Sequence, residues 1–412
     1  MIPRDLSSPL LAALQRYPIV TITGPRQSGK TTLATSLIAK PYANLEAPDI
    51  RRFALDDPRG FLAQFPDGAI LDEIQRTPEL LSYIQADVDR VARNGRWVLT
   101  GSHQPALRAA LGQSLAGRTA LLQLLPLSLG EWSAWGRRST CDELLISGGF
   151  PRLHDSQIPA HQFHADYVGT YLERDVRQIL TVANLGAFQR FLELFAGRHA
   201  QFMNYAKLGA DAGINQTTAK TWCSVLQASH VAAPLRPWFA NISKRLTKNP
   251  KWYLIDSGMA AYLIGCTSAS YLATHPHRGH LFEGIVVSEA MKIIAHAVAP
   301  ARVHVYASQT SEVDLLIEAQ GHVLAVEIKS GQTVASDWFR SLEEVAAIRE
   351  AAVNARMVVY GGNDEQHRSQ AHVCPWWLFP VRLSEWLVAH DSLRPATDLG
   401  GLAERLRFCC GG

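Results

Sequence analysis

The chain has few of the features that mark secreted or membrane proteins. Its six cysteines show no C-x-x-C spacing, which favours reduced thiols in a cytoplasmic protein. The longest apolar run, around Leu121–Leu129, is too short to span a bilayer, and the first residues have no apolar signal core. We therefore expect a cytoplasmic protein without a membrane partner.

Charge is also sparse. Charged residues make up 19% of the 412 residues, and the net charge of +3 is too small to indicate a nucleic-acid binder by itself. Such a role would need a local basic patch. The length exceeds one ordinary hydrophobic core, so about two to four domains are expected.

A phosphate-binding loop lies near the N-terminus. The pattern G-x-x-x-x-G-K-[ST] is matched by Gly24-Pro25-Arg26-Gln27-Ser28-Gly29-Lys30-Thr31-Thr32. A β-branched run precedes the loop and a helix-like stretch follows it, so backbone N–H groups and the positive helix end face the phosphates. We predict that Lys30 reaches the β/γ-phosphates and Thr31 ligates Mg²⁺. The absence of an N-K-x-D guanine-reading motif favours ATP over GTP.

Two acids predict the second half of an ATP site. Asp72 and Glu73 end a short apolar strand, where Asp72 would bind Mg²⁺ through water and Glu73 would polarise the attacking water. Ser102 ends the next strand, in the position of a γ-phosphate sensor in ATPases with an extra strand between the loop strand and the acidic strand. The stretch Tyr42–Glu46 predicts the start of an additional strand.

Two arginines are further candidates. Arg118 precedes the predicted last strand, Ala120–Leu125, where an arginine in oligomeric AAA+ ATPases reaches a neighbour's γ-phosphate. Arg152 begins the predicted helical lid, where a second sensor arginine is common. Each is equally compatible with a surface or structural role. A trans-acting Arg118 predicts a nucleotide-dependent homo-oligomer.

These motifs together resemble a widespread prokaryotic family. The matching segments are the phosphate-binding loop, Leu71-Asp72-Glu73-Ile74-Gln75, Thr100-Gly101-Ser102, Pro126-Leu127-Ser128-Leu129-Gly130-Glu131, Gly148-Gly149-Phe150-Pro151 and Lys248-Asn249-Pro250-Lys251-Trp252-Tyr253-Leu254-Ile255-Asp256-Ser257-Gly258. They look like AAA-type ATPases whose C-terminal domain is of unknown function. The resemblance runs over residues 1 to 365 and implies the architecture and the use of ATP, but little about biological role.

The middle of the chain predicts a winged helix. Residues 204–226 read as a helix-turn-helix, and the stretches Val231–Phe239 and Lys251–Ile255 read as strands of a wing. Residues 212–255 contain no Asp or Glu. Their basic residues are Lys220, Arg236, Lys244, Arg245, Lys248 and Lys251. This local charge predicts contact with DNA phosphates, while protein packing beside the ATPase core is the alternative.

A hairpin with charged residues follows in the C-terminal part. If Gln320-Gly321 centres a two-residue loop, residue 318 opposes 323 and Asp314 opposes Glu327. Alternation then places Glu312, Asp314, Glu327 and Lys329 on one face, with opposed Cβ atoms roughly 5 Å apart. Close carboxylates beside a lysine can bind Mg²⁺ and activate water for phosphodiester cleavage.

The same residues resemble the PD-(D/E)XK nuclease fold. Its pattern is present here as Glu283, Asp314, Glu327 and Lys329, with Asp314 and Glu327 as the implied metal ligands. Many proteins of this fold only bind or scaffold. An active nuclease and an inactive interaction domain therefore both stay open.

The sequence thus predicts an α/β protein with a P-loop, AAA+-like parallel sheet of Rossmann type. The predicted limits are residues 1–135 for the ATPase core, 136–186 for a helical lid, 187–258 for the winged helix and 259–412 for a restriction-endonuclease-like α/β domain. ATP and Mg²⁺ are the predicted cofactors. The predicted role is a switch or motor associated with DNA, with a switch in a protein complex and an ATP-regulated DNA nuclease as the alternatives.

Overall fold

The computed structural model describes residues 2–91, 93–102, 112, 114–156, 158–172, 185–239, 249–348, 352–393 and 399–411. In chain order the elements are α1 (Ser7–Arg16), β1 (Ile19–Gly24), α2 (Lys30–Leu37), β2 (Tyr42–Asn44), α3 (Pro48–Asp56), α4 (Pro58–Ala63), β3 (Ile70–Asp72), a 3₁₀ turn (Ile74–Arg76), α5 (Leu80–Arg90), β4 (Trp97–Ser102), β5 (Thr119–Gln123), α6 (Leu129–Ser133), α7 (Cys141–Ser147), α8 (Pro151–Asp155), α9 (Ala160–Tyr167), a π-helical turn (Val168–Leu172), α10 (Leu185–Ala196), β6 (Gln201–Phe202), α11 (Tyr205–Ala212), α12 (Gln216–Ala228), β7 (Ala232–Leu235), β8 (Lys251–Leu254), α13 (Ser257–Leu263), α14 (Ala269–Leu272), α15 (Arg278–Ala297), β9 (Ala301–Ala307), β10 (Glu312–Ala319), β11 (His322–Lys329), a 3₁₀ turn (Ser336–Phe339), α16 (Arg340–Ala346), β12 (Val353–Tyr360), β13 (Gln366–His367), β14 (His372–Pro375), α17 (Phe379–Ala389) and α18 (Leu399–Cys410).

The N-terminal part forms a parallel five-stranded sheet, the core sheet, with the order β2-β3-β4-β1-β5. Every residue of β1 and β4 is buried, as expected for strands that are covered on both faces. Strand β4 lies between the loop strand β1 and the acidic strand β3, which confirms the predicted extra strand. Because all five strands are parallel, their carboxyl ends meet at one edge of the sheet.

A helical segment and a small antiparallel sheet follow. Helices α11 and α12 lie where a helix-turn-helix was predicted, and each begins at an asparagine cap. Asn204 accepts the amide of Lys207 at 3.0 Å, and Asn215 accepts the amide of Thr218 at 2.8 Å. Gly213, at φ +73°, ends the first helix. The small sheet has the order β6-β8-β7, so β8 is its central strand.

The C-terminal sheet has six strands in the order β13-β14-β12-β11-β10-β9. The hairpin β10–β11 has the predicted two-residue loop, with Gln320 at φ +49° and Gly321 at φ +82°. Glu318 pairs with Val323, and the register continues to Leu315 and Val326. The predicted register is therefore confirmed over these pairs, and it brings residues 314 and 327 to facing positions.

Helix α15 is the longest helix among the described residues and lies at the centre of the protein. It packs against β8, β11, β9 and the ATPase strand β5, and most of its residues are buried. In the part of the chain that the structure describes, neither this helix nor any other is both long and apolar enough to cross a membrane.

A buried charge network joins the core sheet to α15. The Arg4 guanidinium donates to Ser28 O at 2.6 Å, to Leu125 O at 2.8 Å and to Glu131 Oε1 at 2.9 Å. On α15, His296 Nε2 accepts the Leu125 amide at 3.0 Å, and its Nδ1 lies 3.4 Å from Glu131 Oε1. Burial alone would raise the pKa of Glu131, but its interactions with His296 and Arg4 lower it overall. This carboxylate is therefore ionised and holds the two parts together.

A second buried carboxylate, that of Glu289 on α15, is less well compensated. Both oxygens of the fully buried Glu289 accept the Leu129 amide at 3.0 Å. Burial raises the pKa of Glu289 from 4.5 to about 7, even though Lys292 and the Leu129 amide act in the opposite direction. The folded protein therefore keeps a proton on Glu289 at pH values where the unfolded chain has lost it.

This difference predicts a pH-dependent stability. Because the folded-state pKa of Glu289 is raised, its contribution to the free energy of unfolding falls as pH increases from 4.5 to about 7. A Glu289→Gln variant keeps the hydrogen-bond acceptor and cannot ionise. Relative to the wild type it is expected to gain about 1–3 kcal/mol of stability between pH 5 and 7.5, measured by thermal unfolding across that range. Glu193→Gln, at an exposed site on α10, is the control; an equal pH response in both variants would contradict the assignment.

Candidate functional site

The phosphate-binding loop connects β1 to α2 and has the backbone that the motif requires. Gly24 lies at φ +153° and Gly29 at φ +93°. A Cβ on Gly24 would collide with the Leu124 carbonyl oxygen of the neighbouring strand end. Glycine at position 24 therefore serves both the turn and the close approach of β5.

The loop faces a cavity of about 730 Å³. Its lining includes Lys30, Thr31, Glu73 and Arg152. Lys30 Nζ donates to the carbonyl oxygens of Gly24 at 3.1 Å and Pro25 at 2.7 Å. The predicted phosphate-binding lysine thus lies at the mouth of its own loop, in a space large enough for a small organic ligand.

Asp72 is surrounded by hydroxyl groups. Thr31 Oγ1 donates to its carboxylate at 3.0 Å, Tyr42 OH donates at 2.8 Å, and Thr100 Oγ1 donates as well. The structure therefore brings together Thr31 and Asp72, the two predicted Mg²⁺ ligands of the nucleotide site, although they are 41 residues apart. Tyr42 and Thr100 were missed as site residues, because a hydroxyl at a strand position gives no sequence signal of its own.

Glu73 has an uncommon conformation for a residue other than glycine, at φ +57°. The Gln75 side-chain amide donates to the Glu73 carboxylate and, at 2.9 Å, to Ser102 Oγ. Ser102 lies beside Gly24, its partner in the parallel register. Gln75 thus connects the predicted catalytic acid, Glu73, to the predicted sensor, Ser102. The sequence analysis included Gln75 in the segment Leu71-Asp72-Glu73-Ile74-Gln75 but assigned it no role.

The two candidate arginines lie at different places. Arg152, at the start of α8, lines the cavity of the phosphate-binding loop. Arg118 immediately precedes β5, at the edge of the core sheet opposite to the loop, because Ile19 and not Gly24 pairs with Thr119. Its guanidinium pairs with Asp89 at 2.6 and 2.9 Å. Arg118 therefore has no role at the cavity of its own chain.

The basic residues of the middle segment that the structure describes lie in different environments. Lys220 is exposed and lies over the Tyr205 ring, and Arg236 is also exposed. Lys244, Arg245 and Lys248 lie outside the described residues. The prediction that Lys251 contacts nucleic acid is wrong, because its side chain is 5% exposed and faces carboxylates.

Those carboxylates belong to what we call the acid set, which comprises Glu283, Glu312, Asp314 and Glu327. Lys251 Nζ lies 2.6 Å from Glu312 Oε1, 2.7 Å from Glu283 Oε1 and 3.6 Å from Asp314 Oδ1. The predicted grouping of Glu283 with Asp314 is thus present, but it contains an ammonium group that the sequence had placed in the wing.

The remaining contacts of the acid set involve local partners. Asp314 Oδ2 accepts the Ile328 amide at 2.8 Å. Glu327 Oε1 pairs with Lys329 Nζ at 2.6 Å, and its Oε2 accepts the Ser341 hydroxyl at 2.8 Å. The residues predicted as a nuclease-like site are therefore neighbours, and each carboxylate is already engaged by protein groups.

Comparison with known proteins adds the family context. The family model described as "AAA domain" matches residues 16–133, and two described as domains of unknown function, DUF8612 and DUF4143, match residues 138–270 and 278–379. The AAA match contains the phosphate-binding loop, Asp72, Glu73 and Ser102.

Two curated relatives are similar over most of the chain. They are the uncharacterized proteins Rv2008c of Mycobacterium tuberculosis and Mb2031c of Mycobacterium bovis. Each is 32% identical over 336 residues, which is 80% of this chain and 74% of the relative. Among solved structures, the Walker-type ATPase of Pyrococcus abyssi is 14% identical with a TM-score of 0.43, covering 63% of this chain and 94% of that chain.

Proposed function

Because the chain belongs to the family of AAA-domain proteins that includes Rv2008c of Mycobacterium tuberculosis, we propose that it is an ATP-hydrolysing switch. The observation that carries this proposal is the convergence of Lys30, Thr31, Asp72 and Glu73 beside one cavity at the carboxyl edge of a parallel sheet. Ligands of α/β proteins bind at this edge.

The residues present fit ATP. Ser28 Oγ and Gln27 Oε1 are buried and have no hydrogen-bond partner among the described residues. The Ser28 hydroxyl can donate to a phosphate oxygen, and Gln27 Oε1 can accept from a water of its hydration shell. Lys30 and the start of α2 supply positive charge for the phosphates. Arg152 would add a cation from the helical segment.

The arrangement also fits Mg²⁺ and hydrolysis. A hydroxyl and a carboxylate are hard oxygen ligands, and Thr31 and Asp72 would hold the ion, which neutralises charge on the phosphates when bound. Glu73 would orient the attacking water, while Gln75 sets the position of its carboxylate relative to Ser102.

The buried charge network around Arg4 connects the nucleotide site to the C-terminal part. Arg4 binds the Ser28 carbonyl of the phosphate-binding loop and also Glu131, which faces His296 on α15. A change in the loop on nucleotide binding would therefore act on a rigid helix that belongs to the C-terminal part. We propose that the nucleotide state is transmitted along this path.

Two substitutions test the nucleotide site. Lys30→Ala is expected to abolish tight ATP binding, because it removes the cation at the phosphates. Glu73→Gln is expected to retain binding and to lower the hydrolysis rate about 10²–10⁴-fold, as loss of a positioned base does. Binding of a fluorescent nucleotide and phosphate release measure the two effects. Glu79→Gln, at an exposed acid nearby, is the control, and wild-type turnover by Glu73→Gln would refute the assignment.

Assembly is a separate proposal. Arg118 lies away from its own cavity, so a catalytic role would require the site of a neighbouring subunit. Mixing Arg118→Ala with Glu73→Gln subunits is then expected to restore part of the ATPase activity at shared interfaces. Asp89→Ala is the control, because it removes only the surface partner of Arg118. Absence of rescue in a protein that stays monomeric with ATP would exclude the trans role. A loss of ATPase activity in Asp89→Ala equal to that in Arg118→Ala would exclude it as well.

DNA binding through a winged helix is a second candidate, favoured by the exposed Lys220 and Arg236 beside the second helix of the predicted helix-turn-helix. If both contact phosphates, the double alanine variant is expected to reduce the slope of log affinity against log salt by about 2. Titration of duplex DNA over a range of salt concentrations measures this slope. Arg52→Ala, on the ATPase core, is the control. An unchanged slope would leave protein packing as the role of this segment.

A further inference from the structure

The ammonium group of Lys251 lies inside the acid set. It is within 2.7 Å of oxygens from both Glu283 on α15 and Glu312 on β10, and 3.6 Å from Asp314. The side chain is 5% exposed, and its carboxylate partners come from two different elements of the C-terminal part.

The small sheet positions this lysine. Lys251 and Tyr253 are two residues apart on β8, so their side chains point to the same face of the sheet. The Tyr253 hydroxyl donates to Glu283 Oε1 at 2.6 Å. Trp252 points to the other face, where its indole N–H donates to Tyr205 OH at 3.1 Å. Because β8 is the central strand of the small sheet, the position of Lys251 is fixed by pairing on both sides.

A divalent metal does not fit this arrangement. The resemblance to the nuclease fold implies a metal between Asp314 and Glu327, and such an ion needs several free oxygen ligands. Here one oxygen of Asp314 faces Lys251 and the other accepts the Ile328 amide. Among the described residues, neither acid belongs to a group of three ligands whose atoms all lie within 4.8 Å of one another.

We propose that Lys251 is the resident cation of the acid set, so that Glu283, Glu312 and Asp314 form an ion-pair clamp between the small sheet and the C-terminal part instead of a metal centre. A buried ammonium among several carboxylates supplies positive charge at the place where a metal ion would otherwise supply it. The clamp joins β8, α15 and β10, three elements that are distant in sequence.

The proposal changes the expected role of the C-terminal part. With the ammonium in place, Asp314 and Glu327 cannot share a divalent ion, and phosphodiester cleavage that depends on one is blocked in this conformation. The acid set then acts as an interaction between segments of one chain. It is independent of ATP hydrolysis, and Glu73→Gln is expected to leave the clamp intact.

Charge rescue tests the clamp directly. Lys251→Met removes the cation and leaves buried carboxylates unpaired, so the unfolding midpoint is expected to fall by roughly 5–15 °C. Adding Asp314→Asn removes one of the unpaired charges, keeps an acceptor for the Ile328 amide and is expected to restore part of the loss. Lys220→Met makes the same change at an exposed site of the same segment and is expected to shift the midpoint by less than about 2 °C. A double variant that is less stable than Lys251→Met would overturn the proposal. That result is expected if each substitution only removes packing contacts, because the two losses of stability would then add.

A second variant covers the case in which Lys251→Met does not fold. Glu312 is partly exposed, so Glu312→Lys is compatible with folding and places a like charge beside Lys251. Its midpoint is expected to fall further than that of Glu318→Lys, the same charge reversal on the same strand at similar side-chain exposure. Equal effects of the two reversals would argue against the clamp.

Metal binding gives the opposing outcome. In the absence of nucleotide, Mn²⁺ is expected to change the unfolding midpoints of the wild type and of Asp314→Asn by the same amount. A rise that Asp314→Asn abolishes would show a metal centre at the acid set, with Lys251 as a bystander. Mn²⁺ held at the nucleotide site would persist in Asp314→Asn, so the two sites are distinguished.

Discussion

The guanidinium of Arg4 links three separate parts of this protein. Its three nitrogens bind the phosphate-binding loop, the end of β5 and Glu131. Glu131 in turn caps α6 through Ser128 and faces His296 on α15. Because a buried charge that loses its partner costs several kcal/mol, none of these parts can move alone. The position of the phosphate-binding loop is therefore tied to that of the central helix.

Helix α15 contacts ion-paired side chains near both of its ends. Glu283 near its start belongs to the acid set, and His296 near its end contacts Glu131. The helix has 20 residues, which corresponds to about 30 Å of rigid structure between the small sheet and the ATPase core. A helix of this kind can convey a displacement from one charge cluster to the other without any change in its own hydrogen bonds. The helix thus contacts both a strand of the ATPase core and the small sheet that carries Lys251.

Particular residues show how far sequence reasoning reached. The hairpin register followed from a two-residue loop, because alternation and turn geometry are local properties. The grouping of Thr31 with Asp72 followed from the common edge of parallel strands. The role of Lys251 could not be obtained in this way. A count of basic residues along residues 212–255 treats each as exposed, whereas the burial of Lys251 depends on how the small sheet packs against α15 and β10, which are distant in sequence.

The sequence by itself determined the phosphate-binding loop, the acidic strand end, the helices α11 and α12 and the charged hairpin, because each depends on residues close together in the chain. Only the tertiary structure decided that Gln75 joins Glu73 to Ser102, that Arg118 lies away from its own cavity and that Lys251 pairs with carboxylates of the acid set. These contacts depend on packing between separate elements. The sequence specifies the type of each charged side chain, but the packing of the folded chain determines which partner that side chain contacts.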